Sequence, residues 1–377
     1  MLVLVIGYIV FFIGCVLIFN RRGATKVQDD ILWGLLALGL AMIAYLYDPV
    51  DTGFDVIRHY ERIERIRQSN TNFGYFILRD SFGYGGLYTF NAICYLIAKL
   101  NINEHFLPFL VTLISYLICF YILRDWTARE SISHRSYILS LLVGFSFMPY
   151  YFVMTGIRNG VAMCIMALAL YLYLYREKSA LLFLAIGALA STIHTSALIV
   201  VPFVFISRLG FDLKYIFFVL VGSLVMKQVA TAAAAMGIPY ISSMAKSYLL
   251  YSSENQFRSA QYFVMTDIFL IILFSLLILF QHRRYLAKAH AGKCSRLYNF
   301  ISLYAAFIIG NVGNYDLVLR PAYLFGPLAP MLSCLLYNDE FWKGKMCLKF
   351  LIKIAVITVC TYTIFRYMAY FFASVKF

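Results

Sequence analysis

Long apolar runs separated by short polar segments make up most of this chain. A membrane-spanning helix needs about 20 mostly apolar residues, and many of the runs approach or reach that length. The pattern therefore predicts an all-α polytopic integral membrane protein with about 11–12 transmembrane or partly re-entrant helices. No internal repeat or linker divides the chain, which we interpret as one integral membrane domain over residues 1–377. The apolar runs lie near residues 2–19, 31–47, 83–100, 106–123, 137–154, 158–175, 180–206, 215–235, 262–281, 297–313, 321–337 and 347–365.

The composition excludes whole classes of function. The chain is 62% hydrophobic and 13% charged, whereas soluble domains carry about 25% charged residues. Soluble enzyme folds and nucleic-acid-binding domains are therefore excluded. The net charge of +14 is explained by Lys and Arg retained in cytoplasmic loops, where they orient membrane helices. We expect no nucleic-acid partner.

Motifs for metal or cofactor binding are missing from the sequence. We find no Asp-x-Asp pair for a divalent cation, no P-loop, no dinucleotide glycine fingerprint and no paired-histidine motif. Most of the eight cysteines lie in or beside apolar runs, and no pair has metal-ligand spacing. We therefore expect neither a metal nor a cofactor.

Basic segments indicate which loops face the cytoplasm. Clusters of Lys and Arg predict three inner loops, at residues 21–26, 283–296 and 343–353. The segment 48–82 mixes Arg with acidic residues and is predicted to be an outer loop. The segment 236–261 is predicted to be a second, modest outer loop.

Two topologies remain open for the chain that follows the first outer loop. Simple crossings would place Arg124 and Arg176 outside, against the positive-inside rule. The alternative, which we favour, keeps both inside. It requires one of the runs 83–100 and 106–123 to stop short of a full crossing.

The favoured topology also requires the run 180–206 to be a broken or re-entrant element that turns near His194. Irregular backbone at membrane depth is tolerated only where it is buried in protein or lines a wet cavity. A break at His194 would therefore mark a functional site.

The first outer loop contains a predicted amphipathic helix. From Asp55 to Gln68, apolar residues recur at helical spacing with Arg and Glu between them. Asp55 lies in the first turn, where a carboxylate suits the helix dipole. Such a helix either lies in the lipid headgroup plane or helps to bind an anionic lipid-linked substrate, and the sequence leaves both open.

Ionisable side chains within apolar runs are costly and are therefore candidates for function. Arg158, between Gly156 and Gly160, offers a planar guanidinium suited to phosphate oxygens, although a boundary Arg can also reach lipid headgroups. His194 lies among small residues and can act as a general base or bind a backbone carbonyl. Arg320 lies at a predicted outer helix mouth.

Four segments together resemble the EpsG-like branch of the Wzy polysaccharide polymerases. The resemblance rests on their order and spacing between roughly residues 45 and 325. Asn159 departs from the pattern, since the family usually has Gln there. The segments are Asp51-Thr-Gly-Phe-Asp55 with Tyr60, Gly156-Ile-Arg158-Asn-Gly-Val-Ala162, Leu189-Ala-Ser-Thr-Ile-His194-Thr-Ser-Ala197 and Arg320-Pro-Ala-Tyr323.

The resemblance implies a metal-independent glycosyltransferase of GT-C-like architecture in the bacterial cytoplasmic (inner) membrane, with its active site facing the exterior. Such enzymes polymerise oligosaccharide repeat units carried on undecaprenyl diphosphate, as in O-antigen, capsule or exopolysaccharide synthesis. The implied partners are the lipid-linked donor and acceptor glycans and membrane lipids, together with a chain-length regulator and a flippase.

The resemblance also implies roles for individual residues. His194, Arg158 and Asp55 are expected to be catalytic. Arg158 would contact the diphosphate, and His194 or Asp55 would orient or deprotonate the acceptor hydroxyl. No residue is expected to bind a metal. The expected substrate-binding residues are Arg320, Arg58, Tyr60, Tyr323 and Asp51.

Other functions remain open from sequence alone. An O-antigen ligase would have a larger late outer loop than the segment 236–261. A membrane O-acyltransferase would need a cytoplasmic route for its acyl donor, and the short inner loops offer none. A flippase or other transporter of lipid-linked sugars would often show repeat symmetry, which is not visible in this sequence.

Overall fold

The computed structural model describes residues 26–48, 55–83, 86–130, 134–210, 212–236, 245, 249, 254–281, 293–312, 314–337 and 339–373. All regular elements within these residues are helical, so the all-α prediction is confirmed for them. The first apolar run, Asp51 and most of residues 237–253 lie outside the described residues, whereas residues 254–261 of the predicted outer loop 236–261 belong to a helix.

The helices are numbered in chain order. A π-helical turn at Tyr171–Tyr175 extends α8, and a 3-10 turn at Thr195–Ile199 follows α9. The first half contains α1 (Lys26–Tyr45), α2 (Asp55–Gln68), α3 (Phe73–Gly83), α4 (Tyr88–Lys99), α5 (Phe106–Arg129), α6 (His134–Phe147), α7 (Tyr150–Thr155), α8 (Ile157–Leu170) and α9 (Ala180–Ile193). The second half contains α10 (Val200–Ser207), α11 (Leu213–Leu224), α12 (Met226–Ala235), α13 (Glu254–Gln281), α14 (Lys293–Gly310), α15 (Tyr315–Ala322), α16 (Phe325–Cys334), α17 (Asp339–Trp342) and α18 (Met346–Ala373).

Three helices of the described chain are long and apolar enough to cross a membrane alone: Phe106–Arg129, Ile157–Tyr175 and Met346–Ala369. The bent pair Leu213–Leu224 and Gln228–Ala235 makes a fourth if it is one span. Six other apolar stretches of the described chain, which include Asp30–Tyr45 of α1 and Met265–Gln281 of α13, have 10–17 residues, fewer than the roughly 20 of a full crossing. These spans agree with a polytopic membrane protein. The total of 11–12 helices and the GT-C-like architecture stay predictions.

Helix α4 covers most of the run 83–100 and is too short to cross a membrane. Its 12 residues rise only about 18 Å, and it packs along α2. Thr89, at its start, lies 2.7 Å from the hydroxyl of Thr192. Lys99, at its end, donates to the carbonyl of Ser69, just after α2. The run 83–100 is therefore the one that stops short of a full crossing, and the run 106–123 forms the long helix α5.

The run 180–206 is broken, as the favoured topology requires. Helix α9 ends at Ile193, and His194 takes extended backbone angles (φ −152°, ψ 126°). The guanidinium carbon of Arg208, just after α10, lies 4.2 Å from the ring centre of Tyr173, just before α9. The element therefore begins and ends at the same end of the molecule, with His194 at its apex.

Hydroxyl side chains bond to the backbone in the last turn of α9. Ser191 and Thr192 each donate to the backbone carbonyl three residues earlier, at 2.8 and 2.9 Å. Such side-chain bonds compete with the backbone ladder of the helix. After the break, the Nδ1 atom of His194 lies 3.2 Å from the amide nitrogen of Ser196 and caps the 3-10 turn.

A group of charged and tyrosine side chains lies at the opposite end of α5 and α8 from the His194 apex. Asp125 accepts hydrogen bonds from Arg176 at 2.7 and 2.8 Å, from Tyr171 at 2.5 Å and from Arg129 at 3.1 and 3.2 Å. We call these four residues the anchor cluster. They tie the end of α5 to the end of the α8 span.

Ion pairs next to the anchor cluster distinguish the two topologies. Arg124 pairs with Asp30, which follows the first basic segment. Glu177 lies 3.8 Å from Arg296 of the second basic segment. Arg124 and Arg176 therefore lie at the same end as the segments predicted to be inside. The simple-crossing topology, which separates them, disagrees with this structure.

Candidate functional site

Asp55 begins α2 and contacts three basic side chains. Its carboxylate lies 3.0 Å from the Nη2 atom of Arg58, 3.4 Å from the Nε2 atom of His59 and 3.7 Å from the Nη2 atom of Arg158. The first two contacts follow from helix geometry, because residues three and four apart share a face. The contact with Arg158 joins the segment 55–68 to the start of α8.

Burial and neighbouring charges set the ionisation states on α2. Burial raises the pKa of Asp55, but the hydrogen bond and charge of His59 and the charges of Arg158 and Arg58 outweigh it. The pKa of Asp55 therefore lies well below its usual value. Burial lowers the pKa of His59, although the adjacent carboxylate opposes this. At neutral pH Asp55 is ionised and His59 is neutral.

Arg158 lies in the first turn of α8, immediately after a break at Gly156. A Cβ atom at Gly156 would approach the carbonyl oxygen of Phe152 to 2.8 Å, so the tight link between α7 and α8 requires glycine. The guanidinium carbon lies 5.6 Å from the ring centre of Phe90. Its Nε atom is buried and has no hydrogen-bond partner within the described residues.

A chain of hydrogen bonds joins His194 to the backbone of Arg320. The Nδ1 atom of His194 lies 2.7 Å from the hydroxyl of Ser196. That hydroxyl donates to the Oδ1 atom of Asn159 at 2.7 Å. The Nδ2 atom of Asn159 then donates to the carbonyl of Arg320 at 3.3 Å. Three segments that are far apart in sequence are thereby held together.

We call Asp55, Arg62, Arg158, His194 and Arg320 the site cluster. The charges of Arg62 and Arg320 act on Arg158. The charges of Arg158, Arg320 and Asp55 act on His194. The guanidinium groups outnumber the carboxylate, so the cluster is net positive. This arrangement favours an anionic ligand and can stabilise negative charge that develops on a leaving group.

The family comparison agrees with this geometry. The model of the EpsG family matches residues 30–375, nearly the whole chain. The chain belongs to the EpsG family. The resemblance carried by the four short segments is therefore confirmed. No curated protein and no solved structure matches the chain, and no group of three or more His, Cys, Asp or Glu in the described part could hold a metal.

In this EpsG protein, the four family-like segments each supply one member of the site cluster. Asp55 comes from α2, Arg158 from α8, His194 from the α9 break and Arg320 from α15. Segments that lie far apart in the sequence therefore contribute to one site in the folded protein. The chemical roles predicted for them remain predictions.

The other predicted site residues lie less centrally or outside the described chain. Tyr60 packs against the ring of His105, with ring centres 4.9 Å apart. Tyr323 is only 5% exposed and lies in the core. Arg58 contacts Asp55, but its side chain is 68% exposed. Asp51 lies outside the described residues, so its predicted role is not addressed.

Several residues of the site were not singled out from the sequence. His59 and Arg62 are buried at 5% and 6% exposure. Both share a helix face with Asp55, four and seven residues later, so helical spacing from Asp55 was an available signal. Ser196 was visible only as part of the His194 segment. Phe90 carries no sequence signal of its contact with Arg158.

Proposed function

We propose that this EpsG protein is a polysaccharide polymerase that joins oligosaccharide repeat units carried on a prenyl diphosphate, undecaprenyl diphosphate in bacteria. The main support is the net positive site cluster beside the His194 apex. Guanidinium groups can bind a diphosphate and stabilise it as a leaving group without a metal ion. A GT-C-like architecture is part of this proposal.

In the proposed reaction, Arg158 and Arg320 bind the diphosphate of the donor. A hydroxyl oxygen of the acceptor sugar attacks the anomeric carbon of the donor glycan. The bond between that carbon and the diphosphate oxygen breaks, and the electron pair leaves with the diphosphate. Asp55 holds the guanidinium of Arg158, to which it lies 3.7 Å away.

We assign the role of proton acceptor to His194 rather than to Asp55. A useful general base has a pKa near the working pH. The cationic neighbours of Asp55 keep its pKa well below the usual value for a carboxyl, which makes it a weak base. A neutral imidazole always keeps one nitrogen lone pair, so the role falls to His194, the other possible base of the site cluster.

Reconstitution of the purified protein in lipid nanodiscs tests this function. The substrate is the lipid-linked repeat unit extracted from membranes of a producing strain that lacks this protein. A ladder of longer lipid-linked glycans, with release of prenyl diphosphate, supports polymerisation. Transfer of the substrate across proteoliposomes without new glycosidic bonds would instead support a flippase. Transfer to lipid A core would support a ligase, and transfer of an acyl group would support an acyltransferase.

We also propose that the site cluster faces the exterior of the cytoplasmic membrane. A cysteine-free background with Arg58→Cys or Lys178→Cys tests this, because both positions are exposed and lie at opposite ends of α8. Arg58→Cys should react with a membrane-impermeant maleimide in intact cells, and Lys178→Cys only after permeabilisation. The reverse pattern would place the cluster inside.

A further inference from the structure

A phenol without a hydrogen-bond partner lies on the face of α2 that turns away from the site cluster. Asp55 and Arg62 share one face of this helix, because helical residues seven apart lie on the same side, whereas Tyr60 lies on another. The hydroxyl oxygen of Tyr60 is buried and has no hydrogen-bond partner within the described residues. Such groups are rare in folded proteins and call for an explanation, and the hydroxyl of a ligand would supply one.

The ring of Tyr60 packs against His105, whose tautomer is fixed by the backbone. The two ring centres are 4.9 Å apart, and the Nδ1 atom of His105 lies 3.0 Å from the carbonyl oxygen of Tyr45. A carbonyl can only accept, so Nδ1 carries the proton and the Nε2 atom of the neutral imidazole keeps its lone pair. Within the described chain, Nε2 has no hydrogen-bond partner and is not buried. It is therefore an accessible acceptor.

Two carboxylates lie beside this pair of rings. Burial raises the pKa of Tyr60, and the negative charges of Glu104 and Asp48 raise it further, which places both carboxylates near the phenol. Asp48 is exposed and the side chain of Glu104 is 34% exposed, so both can contact a ligand. The Nη2 atom of Arg67 lies 3.7 Å from Glu104 and donates to the carbonyl of Ile102 at 2.9 Å. Arg67 thereby ties the end of α2 to the turn before α5.

These groups match the chemistry of a sugar. Sugar hydroxyls donate hydrogen bonds, which carboxylates and an imidazole Nε2 atom accept, and the apolar face of a sugar ring packs on aromatic side chains. We propose that Asp48, Tyr60, Glu104 and His105 form a glycan subsite that binds the carbohydrate of the lipid-linked substrate. The identity of the glycan rests on the proposed function, whereas the binding of carbohydrate at these residues does not.

The glycan subsite lies where a glycan attached at the site cluster can reach it. Tyr60 follows Asp55 by five residues, about 7.5 Å along the axis of α2, and Asp55 contacts Arg158, which is proposed to bind the diphosphate. The two sites differ in charge. Guanidinium groups predominate in the site cluster, whereas the glycan subsite has two carboxylates, one of them paired with Arg67. The diphosphate is therefore attracted to the site cluster, and the glycan subsite favours sugars without acidic groups.

Binding of the free repeat-unit glycan tests the glycan subsite without catalysis. Mild acid releases the glycan from its lipid, so it has no diphosphate to lose, and saturation-transfer NMR measures its affinity for the protein in nanodiscs. His105→Phe keeps a ring against Tyr60 but loses the Nε2 lone pair, and Glu104→Gln removes a charged acceptor. Each should weaken binding by about tenfold, as expected for one hydrogen bond. No binding to the wild type, or wild-type affinity in both variants, would overturn the glycan subsite.

Two further variants make the binding test specific. Tyr60→Phe removes only the unpaired hydroxyl, so it should weaken glycan binding by about threefold to tenfold without lowering Tm. Glu61→Gln changes an exposed carboxylate elsewhere on α2 and should leave the affinity unchanged. A loss in Glu61→Gln as large as in Glu104→Gln would show that overall charge, and not the glycan subsite, controls binding.

A sugar-free lipid separates the glycan subsite from the site cluster. Undecaprenyl diphosphate should bind to His105→Phe and Glu104→Gln within about twofold of its wild-type affinity, because distant sites act independently. Its affinity for Arg158→Ala should fall by about tenfold or more, because that variant lacks a guanidinium for the diphosphate. An equal loss of this ligand in His105→Phe would contradict a separate glycan subsite.

Kinetics connect the glycan subsite to the reaction. With the lipid-linked repeat unit as substrate, His105→Phe, Glu104→Gln and Tyr60→Phe should raise KM by up to about tenfold and leave kcat within about threefold, since these groups bind the glycan away from the reacting atoms. An unchanged KM in all three variants would contradict a role in lengthening. If the wild type itself does not lengthen glycans, the proposed function fails, while binding of the free glycan still decides the subsite.

Discussion

The two ends of the molecule carry clusters of similar residues that differ in how their hydrogen-bond donors are used. In the anchor cluster, Asp125 accepts from Tyr171 and from two arginines. In the site cluster, Asp55 is the one acidic member beside the guanidinium groups of Arg62, Arg158 and Arg320. Burial alone does not distinguish the two, because Asp125 and Asp55 are 19% and 28% exposed.

The difference lies in how fully each set of donors is used. Within the described residues, no buried side-chain nitrogen or oxygen of the anchor cluster lacks a hydrogen-bond partner, whereas the Nε atom of Arg158 does. A cluster whose buried donors and acceptors are all paired stabilises the fold and offers no unused buried donor to a ligand. A net positive cluster with an unused buried donor beside broken helices is suited to an anionic ligand.

The largest expected difference is in catalysis. Arg158→Ala should lower kcat/KM for glycan lengthening by at least about 100-fold, since it removes a donor to the developing diphosphate charge. Arg158→Lys should remain strongly impaired because an ammonium lacks the planar fork of donors. Arg176→Ala, at the anchor cluster, should leave kcat/KM of the folded protein within about threefold.

The lengthening assay in nanodiscs, normalised to folded protein, measures these effects. Arg158→Ala should still elute as a folded species, since it relieves repulsion from Arg62 and Arg320. Similar activity losses in Arg158→Ala and Arg176→Ala would remove the functional distinction between the two clusters.

The second expected difference is in stability. Asp125→Asn should lower the free energy of unfolding by about 1–3 kcal/mol, because it weakens charge-assisted hydrogen bonds from Tyr171 and Arg176. Asp212→Asn is the control, since that exposed carboxylate lies 3.0 Å from Lys214 and exposed pairs contribute little. Denaturant unfolding in detergent, followed by tryptophan fluorescence, measures both. A loss in Asp212→Asn equal to that in Asp125→Asn would contradict the anchoring role.

The smallest expected difference is in the response to acid. Burial lowers the pKa of His59, so the unfolded chain binds a proton near pH 6.5 that the folded protein resists. Stability from this group is present above that pH and is lost as the pH falls toward 5. His59→Gln should therefore reduce the fall in Tm between pH 7 and pH 5. An unchanged pH dependence in His59→Gln would show that other groups control acid sensitivity.

The helix pattern was the part of the structure most accessible from sequence. The distribution of positive charges favoured the grouping of Arg124 with Arg176, and that grouping in turn predicted the break near His194. The sequence could not decide which of the runs 83–100 and 106–123 stops short. Both are apolar enough, and only the packing of α4 along α2 distinguishes them.

Part of the site could also be predicted from the sequence. Ionisable residues are rare in apolar runs because they are costly to place in a membrane. Arg158, His194 and Arg320 could therefore be identified as candidates from the sequence. Periodicity shows which residues share a helix face but not which helices meet. The bond from Asn159 to the Arg320 carbonyl has no sequence signal at all, because every residue carries that carbonyl.

The re-entrant form of the α9–α10 element has a consequence for biogenesis. The buried side chain of Asn299 on α14 donates to the carbonyls of Ser207 and Gly210, at 2.7 and 2.8 Å, just after the element returns. The ribosome makes α14 well after His194 has left the exit tunnel. The base of this element therefore gains the Asn299 hydrogen bonds only after α14 has been made, and the site cluster is complete only once Arg320 has followed.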